Sequence, residues 1–462
     1  MAYDERQAAL EIARLQEQVR RLQAENERLQ TENRQLGEQL GRLQKQVAEL
    51  ERASARQAAP FRREEKKKVP VGEKKKPGRQ PGHLGACRQI PEHVDQEVEV
   101  PLRCCPHCQG EVTDRAPLVQ WIEEIPPLRP VVTRLVTWQA NCPRCGPVRS
   151  THPLQTSTAG GAASVQLGPR ALSIAALLNK ELGVTMRKTC RVLAKLLGIT
   201  ITPGGLSQAL DRVADKTATG YEGLLKSIRT SDAVYVDETS WWVAGPGWWL
   251  WTFTMPTATL YRVENSRGSH VAQETLGEDF AGMLVSDCLN IYDSIVCRKH
   301  KCIAHHQRAI AQARDRPDTP EGSYLQQWKR LFQAVTALWK ARPTMAETVF
   351  AVERARIEAW CARLLAQAVT QPGDAAVQNR LLKQGPHLLG CLYEPAAEPT
   401  NNRAERSLRP AVIARKLSCG NRTERGKRTW ELLVSLAATC RQNADDFVDW
   451  LAPQLSLAPH AG

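Results

Sequence analysis

The pattern of apolar positions is most regular near the start of the chain, where it repeats every seven residues. The d positions are Leu15, Leu22, Leu29, Leu36, Leu43 and Leu50, and the a positions are Ile12, Val19, Asn26, Asn33, Leu40 and Val47. Such a repeat favours a parallel two-stranded coiled coil, and the asparagines at a fix its register and oligomer state. Residues 1–52 are therefore predicted to form a leucine zipper that pairs two copies as a homodimer. A single solvated helix is the alternative.

Two short apolar runs further along the chain each end at an aspartate. Residues 234–236 lead into Asp237, and residues 283–286 lead into Asp287. Both runs are typical of buried strands that carry a carboxylate at the C-terminal end. Open α/β sheets place their ligands at those strand ends. Residues 247–255 and 259–263 alternate like a hairpin, so residues 230–306 are predicted to be the first part of an α/β core.

Helical spacing dominates most of the remaining chain. Residues 171–182, 186–197 and 206–225 are predicted helices, with a short break at residues 198–204. This arrangement resembles a helix-turn-helix with the third helix as the recognition helix, so residues 153–229 are predicted to be a helical DNA-binding module. A plain helical bundle explains the pattern equally well. Helical spacing also predicts an all-α block at residues 307–394 and a helical tail at residues 441–462.

Two Cys-x-x-Cys pairs stand near the middle of the N-terminal third, Cys105 with Cys108 and Cys142 with Cys145. Residues 119–125 and 131–140 between them are predicted strands. Four thiolates joined by a hairpin suit one tetrahedral structural Zn²⁺. Residues 87–152 are therefore predicted to be a zinc ribbon. The chain has 14 cysteines and no secretion signal at its start, which favours metal ligation over disulfides.

The net charge of +14 is concentrated in residues 53–86, a linker rich in lysine, arginine, proline and glycine. Clustered positive charge favours a polyanionic partner. The predicted DNA contacts in this linker are Lys66, Lys67, Lys68, Lys74, Lys75, Lys76 and Arg79. The chain shows no signal peptide and no apolar run long enough to span a bilayer. We therefore expect a cytoplasmic protein with no membrane partner.

A third acid, Glu405, stands where a helix is predicted to begin. Two strand-end aspartates and a helix-borne glutamate suit a pair of Mg²⁺ ions, which prefer carboxylate oxygens. Such a pair supports in-line displacement at a phosphodiester. Taken singly, Asp237 and Asp287 fit ordinary turn positions, and Glu405 fits a capping box after Asn402. Their order along the chain favours catalysis.

Several motifs together resemble a known family, the bacterial DDE transposases of the insertion-sequence-sixty-six family. They are Pro77-Gly78-Arg79-Gln80-Pro81-Gly82-His83, both cysteine pairs, Val236-Asp237-Glu238-Thr239, Val285-Ser286-Asp287, Cys302-Ile303-Ala304-His305, Asn401-Asn402-Arg403-Ala404-Glu405-Arg406-Ser407-Leu408-Arg409-Pro410 and Arg415-Lys416. One departure is Cys288-Leu289, where the family usually has glycine and an aromatic residue. The resemblance extends over nearly the whole chain.

The resemblance implies a multidomain α+β protein with an RNase H-like catalytic core. The two parts of this core, residues 230–306 and 395–440, would be separated by an all-α insertion at residues 307–394. Asp237, Asp287 and Glu405 would be its catalytic, metal-binding triad, with two Mg²⁺ or Mn²⁺ ions as cofactors. The expected reaction is hydrolysis at insertion-sequence ends, followed by joining of each 3′-hydroxyl to target DNA without a covalent protein–DNA intermediate.

Cations that stand beside the helix acid in the sequence are expected to neutralise DNA phosphates, because guanidinium and ammonium groups bind phosphate oxygens strongly. They are Arg403, Arg406, Arg409, Arg415 and Lys416. Accessory proteins of the same element are further candidate partners. Two alternatives stay open: a non-catalytic dimeric zinc-dependent DNA-binding regulator, and an RNase H-like nuclease that nicks without joining.

Overall fold

The computed structural model describes residues 2–57, 88–114, 116–159, 164–314 and 323–458. The chain divides into two compact units, Met1–Ile122 and Glu123–Gly462. Most of the basic linker lies outside the described residues, and so do its predicted DNA contacts Lys66, Lys67, Lys68, Lys74, Lys75, Lys76 and Arg79. No helix in the described ranges is both long and apolar enough to cross a membrane.

The first unit is dominated by one helix, α1 (Ala2–Gln57), which confirms the helical prediction for the heptad segment. Leu22, Leu29, Leu36 and Leu43 of its apolar stripe are each more than half exposed in the single chain. An exposed stripe of this length is what a paired coiled coil would cover. The pairing itself stays a prediction.

The second unit is built on a mixed five-stranded sheet. Its strands are β3 (Ala233–Trp241), β4 (Trp248–Thr254), β5 (Thr259–Glu264), β6 (Met283–Ser286) and β7 (Arg298–Lys301), in the order β5-β4-β3-β6-β7. The first three strands are antiparallel to one another, which confirms the predicted hairpin. The other two run parallel to β3. A central sheet of this kind confirms a mixed α/β architecture.

A separate two-stranded hairpin, β1 (Gln139–Cys142) with β2 (Gly146–Arg149), carries the second cysteine pair. The strands predicted at residues 119–125 and 131–140 were wrong, apart from the last residues of the second. Pro126, Pro127 and Pro130 interrupt pairing, and side chains such as Ile122 and Val131 are exposed rather than packed. Apolar β-forming residues without a partner surface do not hold a strand.

Helices fill the rest of the second unit. They are α2 (Pro169–Ala176), α3 (Met186–Leu197), α4 (Pro203–Lys216), α5 (Ala218–Arg229), α6 (Ser269–Leu276), α7 (Ile303–Arg314), α8 (Ser323–Ala341), α9 (Glu347–Ala366), α10 (Pro372–Gln384), α11 (Asn402–Ser418), α12 (Glu424–Gln442) and α13 (Phe447–Leu455). A π-helical turn, Leu177–Glu181, continues α2. The single helix predicted over residues 206–225 was wrong: it breaks at Thr217, whose backbone leaves the helical region and whose hydroxyl donates to the Val213 carbonyl.

The pair formed by α3 and α4 has features expected of a helix-turn-helix. Gly198 ends α3 in the left-handed region, with φ of 66°, and the Thr202 side chain caps α4 by accepting from the Gly205 N–H. These helices share a core with α12 and α13 through residues such as Leu206 and Leu433. The structure therefore joins this segment to the C-terminal helices, and its DNA-binding role stays a prediction.

The two faces of the sheet are covered differently. Tyr235 and Val285 pack into a core with α7, α8 and the later inserted helices. Val234 and Val236 pack on the opposite side with α5 and α6. Because side chains alternate along a strand, Asp237 shares the first face and Glu238 the second.

Candidate active site

Asp237 lies within β3 rather than at its end, which corrects the strand-end prediction. The parallel pairing of β3 with β6 stops at Tyr235 opposite Val285, while β3 continues to Trp241 in its antiparallel ladder with β4. Asp237 is thus the first residue on its face beyond the parallel pairing. It still lies at the edge of the sheet where the parallel strands end, which is where open α/β sheets bind their ligands.

Asp287 directly follows β6, as predicted. Its Oδ1 accepts a hydrogen bond of 2.9 Å from the Leu289 backbone N–H, which folds the chain sharply after the strand. The departure at Cys288 is accommodated inside the protein, since its Sγ lies 3.4 Å from His306 Nε2. Burial raises the pKa of the Cys288 thiol. The turn therefore forms without the glycine and aromatic residue that the family usually has.

Glu405 lies in the first turn of α11, also as predicted. The residue before the helix is Asn401, whose side-chain amide donates to the Val236 carbonyl at 2.8 Å. This bond fixes the start of α11 one residue away from Asp237 on β3. The Glu405 carboxylate accepts from Arg308 Nη2 at 3.4 Å. Glu405 therefore does not complete a capping box, which was the structural alternative for this residue.

The three acids interact electrostatically. Burial, together with the negative charges of Glu238, Asp287 and Glu405, raises the pKa of Asp237 to about 7, and burial is the largest cause. Among the described residues, no three His, Cys, Asp or Glu side chains are close enough to form a ready-made metal site. The donor set nevertheless fits a divalent cation, because these carboxylate oxygens repel one another and a bound cation would relieve that repulsion.

Cys302, a motif residue whose role the sequence left open, is buried at the junction of the three acid-bearing elements. Its N–H donates to the Ser286 carbonyl at 2.9 Å, and its Sγ accepts from the Asn401 N–H at 3.2 Å. Burial is the main cause that raises the pKa of its thiol. Cys302 thus ties the end of β6 to the start of α11, and so holds Asp287 and Glu405 in place.

His305, the second motif residue, faces the acids from the first turn of α7. Its Nε2 lies 3.3 Å from Arg308 Nη2. Burial lowers the pKa of His305, as does the Arg308 charge, while Asp287 and Glu405 act in the opposite direction. Sequence reasoning missed Arg308 altogether, although it stands three residues after His305 and therefore on the same helix face.

Glu238 and Tyr292 form a second cluster on the other face of the sheet. The Glu238 side chain is 2% exposed and accepts from Arg267 at 2.8 and 3.0 Å. The Tyr292 hydroxyl donates a short hydrogen bond to the same carboxylate. These hydrogen bonds hold the segment after Asp287 against β3 on the face of the sheet opposite Asp237. The sequence analysis did not predict this pairing, because the two residues are 54 positions apart.

The cations predicted to bind DNA beside Glu405 fall into two groups. Arg403 pairs with Glu398 at 2.6 Å, and Arg415 donates to Ser240 Oγ at 2.9 Å. Both arginines therefore have partners within the protein. The remaining cations, Arg406, Arg409 and Lys416, lie exposed along α11.

Each cysteine pair forms a turn of its own. Backbone N–H groups of Cys108 and His107 lower the pKa of the Cys105 thiol, and those of Arg144 and Cys145 lower the pKa of the Cys142 thiol. N–H groups aimed at sulfur stabilise a thiolate, the form that binds metal. The first pair lies in the first unit and the second pair in the second unit.

The fold and the site define a mixed α/β protein with an acid cluster on one face of its sheet. The family model described as "Transposase IS66 family" matches residues 164–429, a range that includes Asp237, Asp287 and Glu405. That range is more than half of the chain, and the protein therefore belongs to the IS66 family of transposases.

A relative in Sinorhizobium fredii (strain NBRC 101917 / NGR234), described as "Uncharacterized protein y4qI", is 25% identical over 272 residues. The alignment covers 50% of this chain and 49% of that protein. The chain thus spans about half the length of this relative, whose printed name assigns no activity.

Proposed function

We propose that this protein is a DNA transposase that cleaves insertion-sequence ends and joins their 3′-hydroxyl groups to target DNA. The observation that carries the proposal is the interaction of Asp237 with Asp287 and Glu405, whose negative charges help to raise its pKa, within the range matched by the transposase family model. A buried acid that lies beside other acids is a candidate for a functional site.

The acids would hold two Mg²⁺ or Mn²⁺ ions, with Asp237 central, Asp287 on the loop after β6 and Glu405 on α11. When bound, such ions activate the attacking oxygen and stabilise the leaving oxygen of an in-line displacement. The protein's part is to hold its carboxylates rigidly, through the Asn401 bond to β3 and the Cys302 junction. The exposed cations Arg406, Arg409 and Lys416 would bind the DNA backbone.

An RNase H-like core is the fold we infer for this unit. Three antiparallel strands followed by two strands parallel to the first support it, together with helices on both faces. The all-α segment between β7 and α11 would be the insertion implied by the family resemblance.

Two further assignments concern assembly. We infer one structural Zn²⁺ per chain, bound by Cys105, Cys108, Cys142 and Cys145, and a homodimer formed through residues 1–52. Metal analysis of freshly purified protein should find one zinc per chain, and a zinc-free preparation would contradict the ribbon. The isolated 1–52 peptide should sediment as a dimer at micromolar concentration, and a monomer there would contradict the zipper.

The decisive test is incubation of the full chain with Mg²⁺, target DNA and labelled DNA taken from the ends that flank its coding sequence. We expect free 3′-hydroxyl ends and joined products, with no protein–DNA adduct. Binding without cleavage would support the non-catalytic regulator instead. Nicking without joining would support a stand-alone nuclease.

A further inference from the structure

Arg308 on α7 makes a weak internal ion pair with an acid of the proposed site. Its Nη2 lies 3.4 Å from Glu405 Oε1, and the arginine side chain is 59% exposed. A long ion pair at an exposed position contributes little to stability. It also uses only a small part of the donor fork of a guanidinium, which has five N–H groups. Arg308 is therefore free to exchange partners at low cost.

Arg380 approaches the same region from α10, in the inserted helices. Its Nε is buried and has no hydrogen-bond partner in the described part of the chain. Its guanidinium reaches the Cys288 thiol beside Asp287, and its charge lowers the pKa of His306, secondary to burial. A buried donor without an acceptor destabilises the folded protein, so the unpaired Nε of Arg380 needs an explanation.

We propose that Arg308 and Arg380 bind the phosphodiester that is presented to Asp237, Asp287 and Glu405. This assignment rests on the proposed transposase function and deepens it. Arg308 would leave Glu405 for a phosphate oxygen when the acid takes up its cation. Arg380 would supply a second guanidinium, whose Nε has no hydrogen-bond partner in the described part of the chain.

Phosphate fits both arginines better than a purely structural role does. Guanidinium groups prefer bidentate contacts with oxyanions, and neither arginine has such a contact in the described structure. Arg308 reaches Glu405 from α7, and Arg380 reaches Cys288, the residue after Asp287, from α10. The inserted helices then have a function beyond packing, because they carry one half of the phosphate site.

The test uses the full chain and labelled end DNA, with two readouts. The first is strand cleavage in Mg²⁺. The second is the salt dependence of binding, measured with Ca²⁺ in place of Mg²⁺ to keep the DNA intact. Arg308→Gln and Arg380→Gln should each lower cleavage by about 100-fold, as for loss of one preorganised transition-state donor. Each should also reduce the slope of log K against log salt by about 0.9, the value for one phosphate contact.

One matched control is Arg298→Gln, which changes an exposed arginine on β7 that pairs with Glu394. The other is Lys383→Gln, which changes an exposed lysine one turn along α10 from Arg380. Both should leave cleavage and the salt slope unchanged. Arg308→Lys and Arg380→Lys keep the charge, so they should restore the slope but recover cleavage only in part. Thermal unfolding checks that each variant folds.

The outcomes are separable. Wild-type cleavage by Arg308→Gln, or faster cleavage, would overturn the assignment and make Arg308 a simple block on Glu405. An unchanged salt slope in Arg380→Gln would overturn the role of the insertion. If wild-type protein bound the ends without cutting them, the transposase proposal would fail, and the slopes alone would still decide whether the arginines touch phosphate.

Discussion

Two neighbouring carboxylates on β3, Asp237 and Glu238, lie on opposite faces of one sheet and have opposite surroundings. Glu238 is held by Arg267 and by the Tyr292 hydroxyl. Asp237 accepts only the Glu238 backbone N–H, at 2.9 Å, within the described part of the chain. Burial is the largest cause that raises the pKa of Asp237, and the negative charges of neighbouring acids also raise it.

The contrast separates structure from function. A buried carboxylate that is paired and hydrogen-bonded belongs to the framework, and loss of its partner is costly. A carboxylate that lies among like charges destabilises the folded protein. Such an arrangement indicates a functional role, for example the binding of a ligand. The second face extends the pattern, since buried Lys301 pairs there with Asp293 at 3.0 Å.

The largest expected effect is on catalysis. Asp237→Asn, Asp287→Asn and Glu405→Gln should each abolish strand cleavage and joining, because each removes a charge that would hold the metals while changing little in shape. End binding should persist. Gel assays with labelled ends measure both activities.

The matched control for those variants is Glu238→Gln on the other face, which should retain some activity per folded molecule. Asp293→Asn should retain some as well, although it leaves the buried Lys301 ammonium without its partner. Loss of cleavage in Asp293→Asn together with wild-type cleavage in Glu405→Gln would show that the third ligand is wrongly assigned.

Most of this contrast could not be read from the sequence. Period-two patterning placed Asp237, Glu238 and Asp287 on or after strands, and the family motif singled out the three acids. The pattern also identified four of the five strands of the main sheet and the helical character of most of the remaining chain, but it did not identify β7. It could not show which partners lie across the sheet, since Arg267 and Tyr292 are 29 and 54 residues away from Glu238.

The errors have a physical cause of the same kind. The strands predicted between the cysteine pairs had suitable residues but no surface to pack against, and tertiary burial decides such cases. Arg308 and Arg380 were missed because a lone arginine on a helix carries no periodic signal. Their significance depends on contacts with Glu405 and with the loop after Asp287, which only the fold brings together.

Acid should destabilise the face that holds Asp237 through His300, which lies on the same side as Tyr235 and is fully buried. Burial lowers the pKa of His300 from 6.5 to about 4. Below pH 6.5 the His300 side chain is therefore protonated in the unfolded chain, while it stays neutral in the folded chain until the pH falls to about 4. Stability should fall between pH 6.5 and 4, by roughly 3 kcal/mol at most.

Denaturant unfolding of wild type and His300→Gln across this pH range measures how much His300 contributes to the pH dependence of stability, because all other titrating groups are the same in both proteins. Glutamine keeps a donor for the Pro399 carbonyl, which His300 Nε2 approaches at 3.1 Å. The stability curve of the variant should fall less steeply between pH 6.5 and 4. Parallel curves would mean that His300 titrates normally in the folded protein.

A smaller effect is expected at Glu238 itself. Glu238→Gln weakens the charged hydrogen bonds from Arg267 and Tyr292, at a cost of about 2 kcal/mol. Tyr292→Phe should cost about 1 kcal/mol, and the double variant should cost less than the sum because the two side chains share one interaction. Urea unfolding of the four proteins gives the coupling energy. Strict additivity would mean that the cluster does not act as a unit.

The smallest expected effect has the opposite sign and concerns Asp237 without metal. Its pKa is raised from 3.8 to about 7, so the folded state holds a proton that the unfolded state has lost. The resulting destabilisation starts near pH 3.8, grows up to pH 7 and is complete above it. Asp237→Asn cannot ionise, so in a chelator at pH 8 it should be more stable than wild type by about 1 kcal/mol, after allowance for solvent screening. Near pH 4 the difference should vanish. Added Mg²⁺ should stabilise wild type and leave the variant unchanged, because ligand binding to the folded state alone raises stability. A variant that is less stable than wild type at pH 8 would place Asp237 with Glu238, as part of the framework.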